Sequence, residues 1–231
     1  MIQGSRKLAL IVMAMMMAFA SVAMPAGADE TAAKPKRTIH GGDHYDIGSV
    51  ERMLDESLGD ADAYVHDKGI IKLKGKFPID KNKPVEEAVL DFIDRHRNAF
   101  GLKDAKRELK QRGEKFNYGA GFQQIYNGVP VWQKGVGVSL DKDYDIREIS
   151  ANVVTTPDID TTPLITADEA VEIVKSKEQD MRDAPVYQQE LVINENKLVY
   201  QVVLGGWRYF VDAKSGKSYW KTEAWDFRPI P

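Results

Sequence analysis

The stretch Phe122–Leu140, FQQIYNGVPVWQKGVGVSL, decides how this chain is built. Two apolar runs flank Asn127-Gly128, a pair that tolerates positive φ at both positions and marks the two-residue loop of a β-hairpin. Pro130 has no N–H to give to a ladder, so it belongs at the start or edge of the second strand. Beyond it, Val136, Val138 and Leu140 alternate with Gly135, Gly137 and Ser139, the period-two pattern of a half-buried strand.

Working outward, Pro84 stands at the head of an amphipathic helix. Val85, Ala88, Val89, Phe92, Ile93 and His96 recur at three- and four-residue spacing, Ala99 and Phe100 complete the stripe, and Glu86, Glu87, Asp91 and Arg95 face the other way. Such a helix needs a sheet to cover. Gly101 ends it where a left-handed conformation is tolerated. Before it, Gly69–Phe77 (GIIKLKGKF) sets Ile71 and Leu73 against Lys72 and Lys74, a strand with a solvated basic face. Earlier still, Ser49 can cap a short helix whose inner side is Val50, Met53, Leu54 and Ser57.

After the hairpin, Asp141–Asp145 makes an acidic turn and Ile146–Val154 pairs back. Residues 155–163 read as a linker. Thr166 and Glu169 have capping-box spacing at the head of a second helix, whose apolar face is Ala167, Ala170, Val171 and Val174. Four strands follow, about 186–193, 198–204, 207–211 and 217–222, punctuated by Asn194-Glu195-Asn196, Gly205-Gly206 and Lys214-Ser215-Gly216. Trp132, Trp207, Tyr209, Phe210 and Trp220 are expected to pack between sheet and helix. The fold class is α+β: two tandem units, each a helix lying across an antiparallel sheet.

The run Gln124-Ile125-Tyr126-Asn127-Gly128-Val129-Pro130-Val131, with its acidic turn Asp141-Lys142-Asp143, resembles the signature of the fungalysin/thermolysin propeptide (FTP) domain, the pro-region of secreted zinc metallopeptidases. Ala99-Phe100-Gly101-Leu102 resembles the helix end of the same family. Leu198-Val199-Tyr200, Trp207–Ala213 and Ser215-Gly216 resemble a PepSY domain, which accompanies FTP domains in thermolysin-like precursors. The resemblance runs over about 69–221 and implies an FTP-like domain at 47–157 and a PepSY-like domain at 158–223, both of cystatin-like form. It covers pro-region alone, so what it implies is a stand-alone propeptide-like module that binds and inhibits, or chaperones, a secreted thermolysin-like metallopeptidase in trans. An alternative is a non-catalytic structural or interaction protein of the cell envelope that reuses the fold.

The N-terminus carries an address. Arg6 and Lys7 precede an apolar run at 8–20, and Ala26-Gly27-Ala28 is a small-x-small cleavage site, so 1–28 reads as a signal peptide and the chain as secreted or periplasmic, with no stable membrane anchor after cleavage. Residues 29–46 read as a flexible lead-in. The 231 residues carry a formal net charge of −3, which gives no electrostatic footprint for nucleic acid, and zero cysteines exclude disulfide and thiol chemistry.

No catalytic, cofactor or metal residue is assigned. A thermolysin-like centre needs His-Glu-x-x-His, and His40, His44, His66 and His96 do not form it. His40-Gly41-Gly42-Asp43-His44, with Asp46, has ligand-type residues, but in a glycine-broken loop rather than on one helix face. Asp141-Lys142-Asp143-Tyr144-Asp145 opens like a calcium loop, yet position six is Ile146 and position twelve Asn152, so it reads as an acidic hairpin turn. His96 reads as a residue at the core edge. The tail 224–231 holds Trp225, Asp226, Phe227 and Arg228, large side chains either anchoring a partner or folding back on the sheet.

Overall fold

The structure, a computed structural model, describes residues 34–42, 45–67, 69–113 and 118–224. Its first element is strand β1 (Arg37–Gly41), parallel to β2 (Ala61–His66). The Arg37 guanidinium donates to the carbonyls of Ser57 and Gly59 at 2.7 and 2.5 Å, and Ile39 packs on the core. Over 37–41 this corrects the flexible lead-in expected for 29–46. Pairing with a distant segment leaves no periodic trace in a short polar run, so propensity alone reads it as loop. Helix α1 (Ile47–Leu54) begins at Asp46, whose carboxylate accepts the Ser49 amide; Ser49 lies inside the first turn rather than at the cap. Val50, Met53, Leu54 and Ser57 are buried.

Strand β3 (Gly69–Phe77) has its expected span but different faces. A bulge against β2 at Tyr64/Val65 shifts the register, so Ile70 and Leu73 turn inward and Ile71 is exposed. Helix α2 (Val85–Arg95) buries Ala88, Val89, Phe92 and Ile93, then tightens into a 3-10 turn at Arg97–Phe100 that Gly101 closes at φ 72°. Short α3 (Ala105–Glu108) and β4 (Leu109–Gln111) lead to the hairpin. Its strands are β5 (Gly119–Tyr126) and β6 (Val129–Leu140), joined by Asn127 and Gly128 at φ 48° and 82°, both left-handed as a type I′ turn demands. Strand β7 (Ile146–Asn152) returns antiparallel to β6 and β3. Strands β1 to β7 thus enclose a first core of Met53, Phe77, Phe92, Phe100, Phe122 and the valines and isoleucines around them.

In the second lobe, helix α4 (Ala167–Lys177) carries the full capping box at Thr166 and Glu169. Strands β8 (Val186–Asn194), β9 (Lys197–Leu204), β10 (Trp207–Asp212) and β11 (Ser218–Glu223) form an antiparallel meander. Ala170, Val171 and Val174 meet Leu198, Tyr200, Val202, Tyr209 and Val211 in a second core. The fold is α+β, with a large sheet and few helices. One parallel bridge, Val131 with Ile193, makes the described strands a single sheet of eleven.

Three of the aromatics depart from expectation. Tyr209 and Trp207 do belong to the core under α4, but Trp132, Phe210 and Trp220 form a separate cluster with Val192 and Val199. Side chains alternate along a strand, so Phe210 must face away from its neighbours Tyr209 and Val211. Phe210 stacks on Trp220 with ring centroids 4.4 Å apart, and Trp132 meets the two edge-on at 4.8 and 5.6 Å.

Candidate functional site

Strand β6 does not run evenly beside β5. Gln123 pairs with Gly135 and Ile125 with Pro130, so residues 131–134 stand opposite Gln124 alone. The extra length is thrown out as a wide bulge. Gln133 at its crest adopts φ 54°, uncommon for a residue with a Cβ. Where the strands rejoin at Gly135, a Cβ would lie 2.1 Å from the Phe122 carbonyl oxygen, so only glycine fits.

Side-chain amides hold the bulge in place of ladder bonds. Gln123 Nε2 donates to the carbonyls of Val131 and Lys134 at 2.6 and 2.8 Å. Asn152 Nδ2 donates to the Gln133 carbonyl at 3.1 Å, and Asn152 Oδ1 accepts from Lys134 Nζ at 2.8 Å. Gln124, buried to 1% exposure, makes a paired contact with Val154: its Nε2 donates to the carbonyl at 2.7 Å and its Oε1 accepts the N–H at 2.9 Å. The bulge divides the strand's labour. Val129 and Val131 before it belong to the second core, and Val136, Val138 and Leu140 after it to the first.

Three hollows meet at this bulge. One of about 570 Å³ lies at the seam between the lobes, lined by Trp132, Gln133, Lys134, Thr155, Asn194 and Asn196 among others. A second, about 500 Å³, lies over the small-residue surface of Gly121, Gly137 and Ser150 and shares Gln133 and Asn152. A third, about 200 Å³, shares Lys134 and Asn152 and reaches Ile71 and His66. Asn194 is 6% exposed, and its Nδ2 has no acceptor among the described residues. The sequence gives little warning of this convergence. Its only trace is that the apolar alternation lapses between Val131 and Val136.

The acidic turn is occupied by lysines. Lys76 Nζ lies 2.9 Å from Asp143 and 3.5 Å from both Asp141 and Asp145, and Lys81 Nζ lies 3.1 Å from Asp145. The bond to Asp143 raises the Lys76 ammonium above its ordinary range. Backbone N–H groups of Asp145 and Asp143 on the Asp141 carboxylate hold that acid below its own. Among the described residues no group of three His, Asp or Glu side chains could hold a metal.

His40 stacks on Tyr64 with centroids 4.4 Å apart, while Asp43 and His44 lie outside the described residues. His96 closes α2 against Phe92, with Nε2 3.1 Å from Glu56 Oε1. Burial pushes its imidazole below the ordinary value, against the opposing pull of Glu56. Trp225, Asp226, Phe227 and Arg228, expected as partner anchors, and residues 1–28, expected as a signal peptide, lie outside the described residues. Among those described, no helix is long and apolar enough to cross a membrane.

No family model matches the chain. It is similar to the C-terminal domain of Bacillus megaterium YpeB, at 20% identity and a TM-score of 0.36, over 67% of this chain and 71% of that one. It is also similar to a candidate lipoprotein of Clostridium difficile 630, at 13% identity and a TM-score of 0.26, over 62% of this chain and 95% of that one.

Proposed function

We propose that the chain is a secreted, non-catalytic module of propeptide type: an FTP-like half over 47–157 and a PepSY-like half over 158–223, in tandem cystatin-like form, that binds a zinc metallopeptidase in trans and restrains it or assists its folding. One observation carries this reading. The residues that resemble the FTP signature, Gln124 to Val131, lie where the two lobes join: Gln124 ties β5 to Val154, and Val129 and Val131 fill the second core. A signature spent on joining two lobes fits a module whose surface is its function. The sheet surfaces and the seam offer area and shape to a partner, and binding of that kind needs no covalent step. The Ala26-Gly27-Ala28 cleavage site supports export, which brings the module to secreted peptidases. Trp225, Asp226, Phe227 and Arg228 are proposed as anchors in that contact.

The test uses mature chain from residue 29 with a thermolysin-like peptidase. Co-elution on size exclusion, together with slower peptide hydrolysis or a higher refolding yield of denatured peptidase, is the expected result. Absence of co-elution together with unchanged hydrolysis and refolding would sink the proposal. Removing residues 224–231 is expected to weaken the complex.

A further inference from the structure

A buried N–H without an acceptor destabilises a fold, and native structures keep few of them. Asn194 is such a case. It ends β8, is 94% buried, and is fixed by the turn that follows, where Glu195 and Asn196 take φ of 49° and 59°. A leucine there would fill similar volume with no orphaned donor. Asn194 lines the seam hollow beside Lys134, a partly buried residue. The hydrogen bond Lys134 makes goes to the neutral amide of Asn152, and no described carboxylate lies within ion-pair distance of it. Two donors therefore share one hollow, whose lining also includes the exposed Glu195 at the turn; no described residue accepts from Asn194 Nδ2, and no described carboxylate, Glu195 included, pairs with Lys134.

We infer that the seam hollow takes an extended, carboxylate-bearing peptide segment of the partner, with a carbonyl oxygen received by Asn194 Nδ2 and the carboxylate by Lys134 Nζ. The inference rests on the reading of the chain as a peptidase-binding module and names where that module touches its partner. The shape of the site favours a strand. The seam hollow and its smaller neighbour share Lys134 and Val154, so together they make a trough that runs past the ammonium toward Ile71 and His66. The lining of Gln133, Thr155 and Asn196 mixes donors and acceptors, as a peptide backbone does. Trp132 is locked against Phe210 and Trp220 and serves as an apolar wall.

Because the chain has no cysteine, single thiols can be placed cleanly. Asn196→Cys at the rim and Leu164→Cys on the exposed linker would each carry a photo-crosslinker, with the thermolysin-like peptidase as probe. Cross-linking from position 196 but not 164 is expected, and mass spectrometry of the product reads which peptidase segment lies in the trough. Asn194→Leu is expected to keep or raise the melting temperature while weakening the complex roughly tenfold, the value of one lost hydrogen bond. A merely structural Asn194 would show the reverse, a lower melting temperature with affinity intact. Lys134→Met is expected to weaken the complex and flatten its salt dependence. If the complex forms but both variants bind as the parent does and position 196 yields no cross-link, the trough is overturned while the module reading stands. If no complex forms at all, both fall. Binding of a chitooligosaccharide that Asn194→Leu abolishes would assign the hollow to sugars and overturn the inference.

Discussion

Helices α2 and α4 are each 11 residues long and each lies over a sheet, yet they fill the space beneath them differently. Helix α2 lowers Val89, Phe92 and Ile93 into a core already holding Phe77, Phe100 and Phe122. Helix α4 buries the smaller Ala170, Val171 and Val174, with Ala167 and Ile173 packing at the edge, and the large side chains under it come from the sheet itself, from Tyr200, Leu204 and Tyr209. The first lobe is thus held by large interlocking side chains. The second leans on local devices: the capping box, the Asp212 carboxylate that accepts the N–H groups of Lys214 and Ser215, and Lys214, which bonds Asp160 at 2.5 Å and so fastens the linker. Damage should follow the same division, deep and cooperative in one lobe and shallow in the other.

The largest effect is expected from Phe92→Ala, which removes a large side chain of 1% exposure from the first core. A loss of about 3–5 kcal/mol is the usual consequence of such a truncation. Val174→Ala at the matching place under α4 should lose about 2 kcal/mol, since it removes less volume. Urea unfolding followed by circular dichroism measures both. The described tryptophans, Trp132, Trp207 and Trp220, all lie at the seam or in the second lobe, so their fluorescence reports that half separately. Equal losses for the two variants would break the contrast between the lobes.

Next comes the joint. Gln124→Leu leaves the N–H and C=O of Val154 without their partners in a part-buried place, a loss of about 2–3 kcal/mol. If Gln124 couples the lobes, the fluorescence and dichroism transitions are expected to coincide in the parent and to separate in this variant. Coincidence with an unchanged midpoint would mean that the bridge from Val131 to Ile193 suffices without the amide.

What the sequence revealed follows the range of the forces involved. Asn127-Gly128, the α2 stripe, the Thr166–Glu169 box and the turn at Asn194-Glu195-Asn196 are local, decided by residues within one turn of each other, and they stand as read. Strand β1 and the α3–β4 segment were not legible, because what makes them ordered is pairing with β2 and β5, far along the chain. Bulges hid the rest. One slipped residue exposes Ile71, and the excursion of Trp132–Lys134 creates the candidate site. A period-two pattern assumes an even ladder, so it cannot place a hollow that exists only where the ladder is broken.

Smaller again is Thr166→Ala. It removes the hydroxyl that accepts the Glu169 amide, and with it one side of the box, for about 1 kcal/mol. Hydrogen exchange should show the loss in the first turn of α4 and leave α2 protected. A loss spread evenly over both helices would mean that the second lobe does not open by itself.

The finest test of the contrast is pH. In the first lobe, burial holds His96 below its ordinary value of 6.5 even though Glu56 pulls the other way. The unfolded chain therefore takes up its proton first as pH falls, and stability contributed by the neutral imidazole begins to drain away below about 6.5. In the second lobe, the Lys214 ammonium and the Thr162 amide hold the Asp160 carboxyl down at about 2, against an ordinary 3.8. That contribution is whole above 3.8 and is lost as pH falls from there toward about 2, and it is small because Asp160 is exposed. Acid should thus reach the first lobe near neutrality and the second only in strong acid. Urea midpoints measured from pH 8 to pH 3 should fall between 7 and 5 in the parent and stay flatter there in His96→Gln. Asp160→Asn should match the parent in that range and depart from it only below pH 4. A parent-like slope between pH 7 and 5 in His96→Gln would move the origin of acid sensitivity out of the α2 core and remove this distinction between the lobes.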